Sequence, residues 1–202
     1  MSGRKGLGVK ADDLVDKLIE TALDVVVERS PAESPESSRR VARKIAVGAL
    51  RYFMLKYTRN SVISFDLKEA LSFEGETGVY IQYAALRANR ILAKIELPDF
   101  QSKLSGEIFV KQLENEDCWQ LLLAASKMES AIERAIASGE PAHVARYAFQ
   151  LAQGFSNFYH EFPVLAEPDP EKKIFLLWMT GYFRAQLERT LAVLGIEIPE
   201  YM

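Results

Sequence analysis

Five residues in one stretch have the types and the spacing to bind a nucleic acid. Tyr80, Tyr83, Arg87, Arg90 and Lys94 recur at steps of three, four, three and four. On a helix that rhythm places them on a single face, rotated by about 100° from an apolar stripe of Ile81, Ala85, Ala88, Leu92 and Ile95. Aromatic rings stack on unpaired bases, cationic groups meet phosphates, and an arginine fork can read a base edge. The same spacing also suits a plainer arrangement, with two half-buried tyrosines beside ordinary surface charges.

Other candidates are weaker. Gly3, Gly6 and Gly8 lie among Arg4, Lys5 and Lys10, so backbone amides and cations there could surround a polyphosphate. A mobile terminus has the same composition, and the glycines predict mobility over residues 1–8. His160, between Tyr159 and Glu161, suggests acid–base chemistry. No serine or cysteine nucleophile is committed to it, and a packing histidine fits as well. His143 and His160 stand 17 positions apart, without the close pairing of a histidine metal site, so no metal ligands are assigned. Cys118 is the single cysteine, which excludes an internal disulfide and a thiolate cluster and suits a reducing, cytoplasmic setting.

Charge narrows the partners. The net charge of −3 gives no overall attraction to polyanions. Residues 1–60 nevertheless hold 12 Lys+Arg against 8 Asp+Glu, while residues 61–202 hold 13 against 20. A polyanion must therefore be met by local patches. Apolar runs are too short to span a membrane, and no leader-like stretch follows Met1.

Helices must position these groups, since apolar residues recur at helical spacing and no strand alternation is convincing. A first helix is expected from Asp12 or Asp13 through Leu14, Leu18, Ala22 and Val25, stopping at Ser30-Pro31. Residues 31–38 read as a polar connector. A second helix carries Val41, Ile45, Ala49, Phe53 and Tyr57. Ser64-Phe65-Asp66 opens a short turn of helix, and Gly75-Glu76-Thr77-Gly78 precedes the helix of about 79–95. Residues 98–116 read as a loop with short elements. One helix is then expected through Leu121, Ala125, Met128, Ile132 and Ala135, closed by Gly139. Another follows Pro141 with Val144, Ala148, Leu151, Phe155, Phe158 and Phe162. The last carries Leu176, Met179, Phe183, Leu187, Leu191 and Leu194, ending at Gly195. The fold class is all-α, a bundle of five or six substantial helices.

The run LSFEGETGVYIQYAALR at 71–87 resembles the junction between the catalytic and anticodon-binding domains of arginyl-tRNA synthetases. MSGRKG at 1–6 with Lys10-Ala11-Asp12-Asp13-Leu14 resembles the class I synthetase signature loop and the helix after it. FSNFYHEFPVL at 155–165 and LGIEIPEYM at 194–202 resemble later segments of the same family, in the expected order. The resemblance covers essentially the whole chain, with little from residues 98–116.

The resemblance implies the C-terminal portion of an arginine–tRNA ligase. Residues 1–70 would be a remnant of the catalytic domain, with its signature loop and stem helices. Residues 71–202 would be the helical anticodon-binding domain of class I synthetases. The full enzyme joins L-arginine to arginine tRNA using ATP with Mg2+, and by itself the chain is expected to bind tRNA weakly, catalyse nothing and hold no cofactor. Met1, Ser2, Arg4 and Lys5 match the ATP-contacting loop, with Arg4 and Lys5 the catalytic candidates that stabilise transition-state charge. Tyr80, Tyr83 and Arg87 match tRNA-contacting positions, and Met202 matches a residue that approaches the anticodon loop. Arg90 and Lys94 join this set by spacing. Val79 departs from the proline usual before the first tyrosine, so the start of that helix needs another support. Two other readings stay open: a free-standing tRNA-binding relative, and a helical scaffold whose cationic face packs on protein.

Overall fold

The computed structural model describes residues 10–95 and 104–202, all of it helix, turn or irregular chain. The glycine-rich opening, with Met1, Ser2, Arg4 and Lys5 and the mobility expected for residues 1–8, lies outside the described residues.

Among the described residues five long helices make the frame: α1 (Ala11–Arg29), α2 (Pro35–Leu55), α4 (Gly78–Ala93), α8 (Ala142–Glu161) and α9 (Pro170–Val193). Four shorter ones fill in, α3 (Leu67–Ala70), α5 (Gly106–Leu113), α6 (Glu116–Ala125) and α7 (Met128–Ser138). No described helix is long and apolar enough to cross a membrane.

Two expectations need correction. Residues 31–38 are not all connector, because α2 begins at Pro35. The Ser34 hydroxyl accepts from the Ser37 amide at 3.2 Å, and proline fits the first helical position, so the polar Ser-Pro-Glu run is a helix start. The helix expected through Leu121 and Ala135 is two helices, α6 and α7. The Ser126 hydroxyl donates back to the Leu123 carbonyl at 2.9 Å, and the Lys127 amide reaches Ala124 rather than one residue further. That tightened turn ends α6.

The stripes of α8 and α9 are buried as their spacing requires. Val144, Ala148, Leu151, Phe155, Phe158 and Phe162 meet Leu176, Met179, Phe183, Leu187 and Leu191 in the larger core. A second, smaller core joins α1 and α2 through Leu18, Ala22, Val26, Val41, Ile45 and Ala49. Helix α4 belongs to both. Val79 enters the smaller core, while Ile81, Ala84, Ala85, Ala88 and Ile91 enter the larger.

The two cores meet where α2 crosses α4, and the contact is backbone on backbone. A Cβ on Gly78 would lie 2.5 Å from the Gly48 carbonyl oxygen and 2.9 Å from the Tyr52 Cβ. One turn along α4, the buried Gln82 amide donates to the Lys44 carbonyl at 3.0 Å and to the Glu197 carbonyl at 2.7 Å. Tyr52 is also fully buried, with its hydroxyl within reach of the Glu76 carboxylate at 3.1 Å and the Ala145 carbonyl at 3.2 Å. Burial, then the Glu76 charge, pushes this phenol far above its usual range, so it stays a neutral donor.

After α9 the chain turns through Gly195, at φ 68°, while the Ile196 amide bonds back to Leu191 at 2.8 Å. The tail then runs along α2 as a strap. Arg51 donates to the Gly195 carbonyl, Lys44 pairs with Glu200 at 3.0 Å, and Arg40 pairs with Glu200 at 3.6 Å. Tyr201 and Ser37 share a hydroxyl–hydroxyl bond of 3.1 Å.

Two measurements check this frame. Gly78→Ala must push backbone apart and should destabilise by roughly 1–3 kcal/mol in denaturant unfolding. Gly181→Ala, inside α9 with nothing within 4 Å of its Cβ, should be neutral or stabilising by up to about 1 kcal/mol. Equal effects would contradict a close α2–α4 contact.

The strap gives a pH test. Burial alone would raise the Glu200 carboxyl, but the Lys44 hydrogen bond and the Lys44 and Arg40 charges hold it below its usual value. A lowered folded-state value means the unfolded chain binds more protons. The stabilisation is therefore present above the ordinary carboxylate range and is lost as pH falls through the lowered one. Glu200→Gln should melt slightly below the parent chain at neutral pH, the gap closing in acid and in high salt, since the pair is half exposed. A pH-independent gap would contradict the pairing.

Candidate nucleic-acid interface

The turn that leads into α4 is tied down by its own side chains. Thr77 caps the helix, its hydroxyl accepting from the Tyr80 amide at 3.1 Å and donating to the Ser72 carbonyl at 2.7 Å. The Ser72 hydroxyl accepts in turn from the Glu74 amide at 3.1 Å. Gly75, at φ 80°, supplies the left-handed step. Val79, where a proline was expected, is fully buried in the smaller core. The start of α4 is thus held by a cap and an apolar anchor.

This anchoring fixes a ladder of cations and rings. The Arg29 guanidinium, at the end of α1, lies 4.0 Å from the Phe73 ring centre. Phe73 meets Tyr83 edge to face at 6.3 Å. Arg87 lies over Tyr83 at 4.9 Å and over Tyr159 of α8 at 5.4 Å, and it donates to the Tyr83 hydroxyl at 3.0 Å. Each cation–ring contact contributes about 0.5–1 kcal/mol at exposed sites, and together they hold the rings and the guanidinium ready before a ligand arrives.

Beside the ladder is a cleft of about 190 Å³ lined by Tyr83, Arg87, Arg90, Lys94, Tyr159 and Leu165. No carboxylate of the described residues lines it. Among the described residues none of Arg87, Arg90 and Lys94 is within salt-bridge distance of a carboxylate. The cleft is therefore cationic within an acidic chain. Arg90 also lines a wider hollow of about 750 Å³ between α4, the end of α9 and the strap.

The structure thus brings Tyr83, Arg87, Arg90 and Lys94 together. Tyr80 is turned elsewhere, half-buried against the larger core with its ring 5.7 Å from Phe149. Met202 lies in an apolar niche with Ala22, Val25, Val26 and Phe73. It borders the ladder through Phe73 rather than the cleft itself.

Three members of the ladder were not singled out from sequence. Phe73 lies in a turn, outside any periodic pattern. Tyr159 lies outside the helix-face spacing, beside His160, which is itself exposed. Nothing in the sequence distinguishes Arg29 from other helix-end cations. Phe73 and Tyr159 do fall inside the two motif runs at 71–87 and 155–165, which is the one signal that could have found them.

Comparison with known proteins gives the chain's family. A DALR anticodon binding domain model matches residues 81–202. The arginine–tRNA ligase of Pyrococcus abyssi is 37% identical over 204 residues, covering all of this chain and 32% of the relative. That of Porphyromonas gingivalis is 33% identical over 206 residues, again across the whole chain and 34% of the relative. The chain thus spans about a third of the length of the curated relatives it matches. Among solved structures, Thermus thermophilus arginyl-tRNA synthetase superposes with a TM-score of 0.81 at 30% identity, over all of this chain and 33% of the other. The Plasmodium falciparum arginyl-tRNA synthetase, at 23% identity and a TM-score of 0.82 over 96% of this chain and 34% of its own, shares the fold. With this match across the helices that carry the cationic cleft, the chain belongs to the DALR anticodon-binding domain family.

Proposed function

We propose that this chain grips the anticodon arm of arginine tRNA, and that its parent protein is an arginine–tRNA ligase. The observation that carries the reading is the Phe73–Tyr83–Arg87–Tyr159 ladder beside a cleft lined by Arg87, Arg90 and Lys94 and, among the described residues, by no carboxylate. Rings flanking a pre-oriented guanidinium suit an unstacked anticodon base, whose face can stack while the guanidinium reads its edge. Arg90 and Lys94 at the rim suit the phosphates on either side. Met202 contributes by backing Phe73, and Tyr80 by holding α4 against α8.

The relatives' names support arginine and tRNA as the parent's substrates; ATP with Mg2+ is assigned to the parent on the family resemblance alone. Residues 71–202 are then the tRNA-gripping domain and residues 1–70 the stem of the catalytic domain. Arg4 and Lys5, with Met1 and Ser2, are assigned to ATP on sequence resemblance alone. The scaffold alternative is disfavoured, because the cationic face opens into a cleft.

Binding of labelled arginine tRNA by variants of the full chain tests this reading. Tyr83→Ala should weaken binding by roughly 1–3 kcal/mol if a base stacks on the ring. Tyr83→Phe keeps the ring and loses only the hydroxyl that aims Arg87, so its effect should be smaller. Arg87→Lys retains charge but loses the planar fork, and should cost more than a phosphate contact would. Arg90→Ala or Lys94→Ala should flatten the salt dependence, each by up to about one counterion. Unchanged affinity in stably folded Tyr83→Ala and Arg87→Ala would exclude this face as the anticodon contact.

A further inference from the structure

A second cationic cleft lies on the far side of α8. It has a volume of about 400 Å³ and is lined by Lys127 from the α6–α7 turn, Arg134 of α7, and His143, Arg146 and Gln150 of α8, over a floor that includes Tyr147 and Leu151. No carboxylate of the described residues lines it. Lys127, Arg134 and Arg146 are exposed. Among the described residues none of them is within salt-bridge distance of a carboxylate, whereas nearby Glu140 is already held by Arg59 at 3.3 Å.

The floor is rigid. The buried Tyr147 hydroxyl donates to the Ala125 carbonyl at 2.7 Å, at the end of α6. Burial pushes that phenol well above its usual range, so the bond stays protonated at any working pH. The bond joins the end of α6 to α8, and so sets Lys127, just past α6, beside Arg146.

Arg146 and Tyr159 are 13 residues apart on α8. A helix rises 1.5 Å and turns about 100° per residue, which puts them roughly 20 Å apart along the axis and on nearly opposite sides. One nucleotide cannot reach both. A cleft with several unneutralised cations, separated from the ladder by that distance, fits an extended polyanion better than a single phosphate.

We propose that this second cleft binds the phosphodiester backbone of RNA, away from the ladder and without reading bases. The inference rests on the chain's binding tRNA as proposed above, and it adds a surface that contributes affinity but no sequence discrimination.

The test uses the 202-residue chain and arginine tRNA at several salt concentrations, with an anticodon-substituted tRNA as the specificity control. The double variant Arg134→Gln/Arg146→Gln should bind both RNAs severalfold more weakly. Its slope of log affinity against log salt should fall by up to about two. The ratio of affinities for the two RNAs should be unchanged, and Arg134→Lys/Arg146→Lys should restore binding. Tyr83→Ala, by contrast, should lower that ratio. If the glutamine variant binds as the parent chain does while Tyr83→Ala fails, the second cleft is overturned and the ladder stands. If the lysine variant does not restore binding, or the glutamine variant changes the ratio, backbone-only contact is overturned. If Tyr83→Ala leaves the ratio intact, the ladder assignment fails independently.

Discussion

Gln82 holds the molecule's separate parts in register. Its amide nitrogen reaches α2 at the Lys44 carbonyl and the C-terminal strap at the Glu197 carbonyl, from a fully buried position on α4. It can do so only because Gly48 and Gly78 let the two helices touch; a Cβ on Gly48 would fall 2.5 Å from that nitrogen. The Oε1 of the same side chain is buried and has no partner among the described residues, so the amide gives up hydrogen bonding on one side to place both N–H groups on the other. Leaving either carbonyl unpaired would cost about 1–3 kcal/mol. The two cores, the strap and the cap at Thr77 are all spaced from this crossing.

The ladder depends on that spacing because its members come from four places in the chain. Arg29 ends α1, Phe73 sits in the turn before α4, Tyr83 and Arg87 lie on α4, and Tyr159 is near the end of α8. A shift of α4 along α2 would separate Phe73 from Arg29. A shift against α8 would separate Arg87 from Tyr159. Cys118, the one thiol, is outside this machinery: burial, helped by Glu161 and Asp117, raises it to about 11, so it stays protonated and unreactive.

Helical periodicity made the large elements legible. The stripes of α8 and α9 lie in the core position by position, since a long helix packed on both neighbours leaves its apolar face no other place. Capping was harder to see than periodicity. The polar Ser34-Pro35 pair has the composition of a connector yet caps and starts α2, and the turn at Ser126 divides a continuous apolar stripe into two helices. For the cleft, spacing correctly grouped Tyr83, Arg87, Arg90 and Lys94, but could not tell that Tyr80 faces Phe149. Side-chain direction at the edge of a helix face is set by the neighbouring helix, which spacing within one helix does not contain. Arg29 joins the site through tertiary contact alone, as do the scattered cations of the second cleft.

The central claim is that a specific anticodon base meets the Tyr83–Arg87 pair. A double-mutant cycle between Tyr83→Ala and abasic substitutions, placed one at a time through the anticodon loop and the acceptor stem of arginine tRNA, tests it most directly. The account predicts a coupling energy above about 0.5 kcal/mol at one anticodon nucleotide and simple additivity in the acceptor stem. Additivity at every anticodon position, with folded protein and measurable binding throughout, would contradict it.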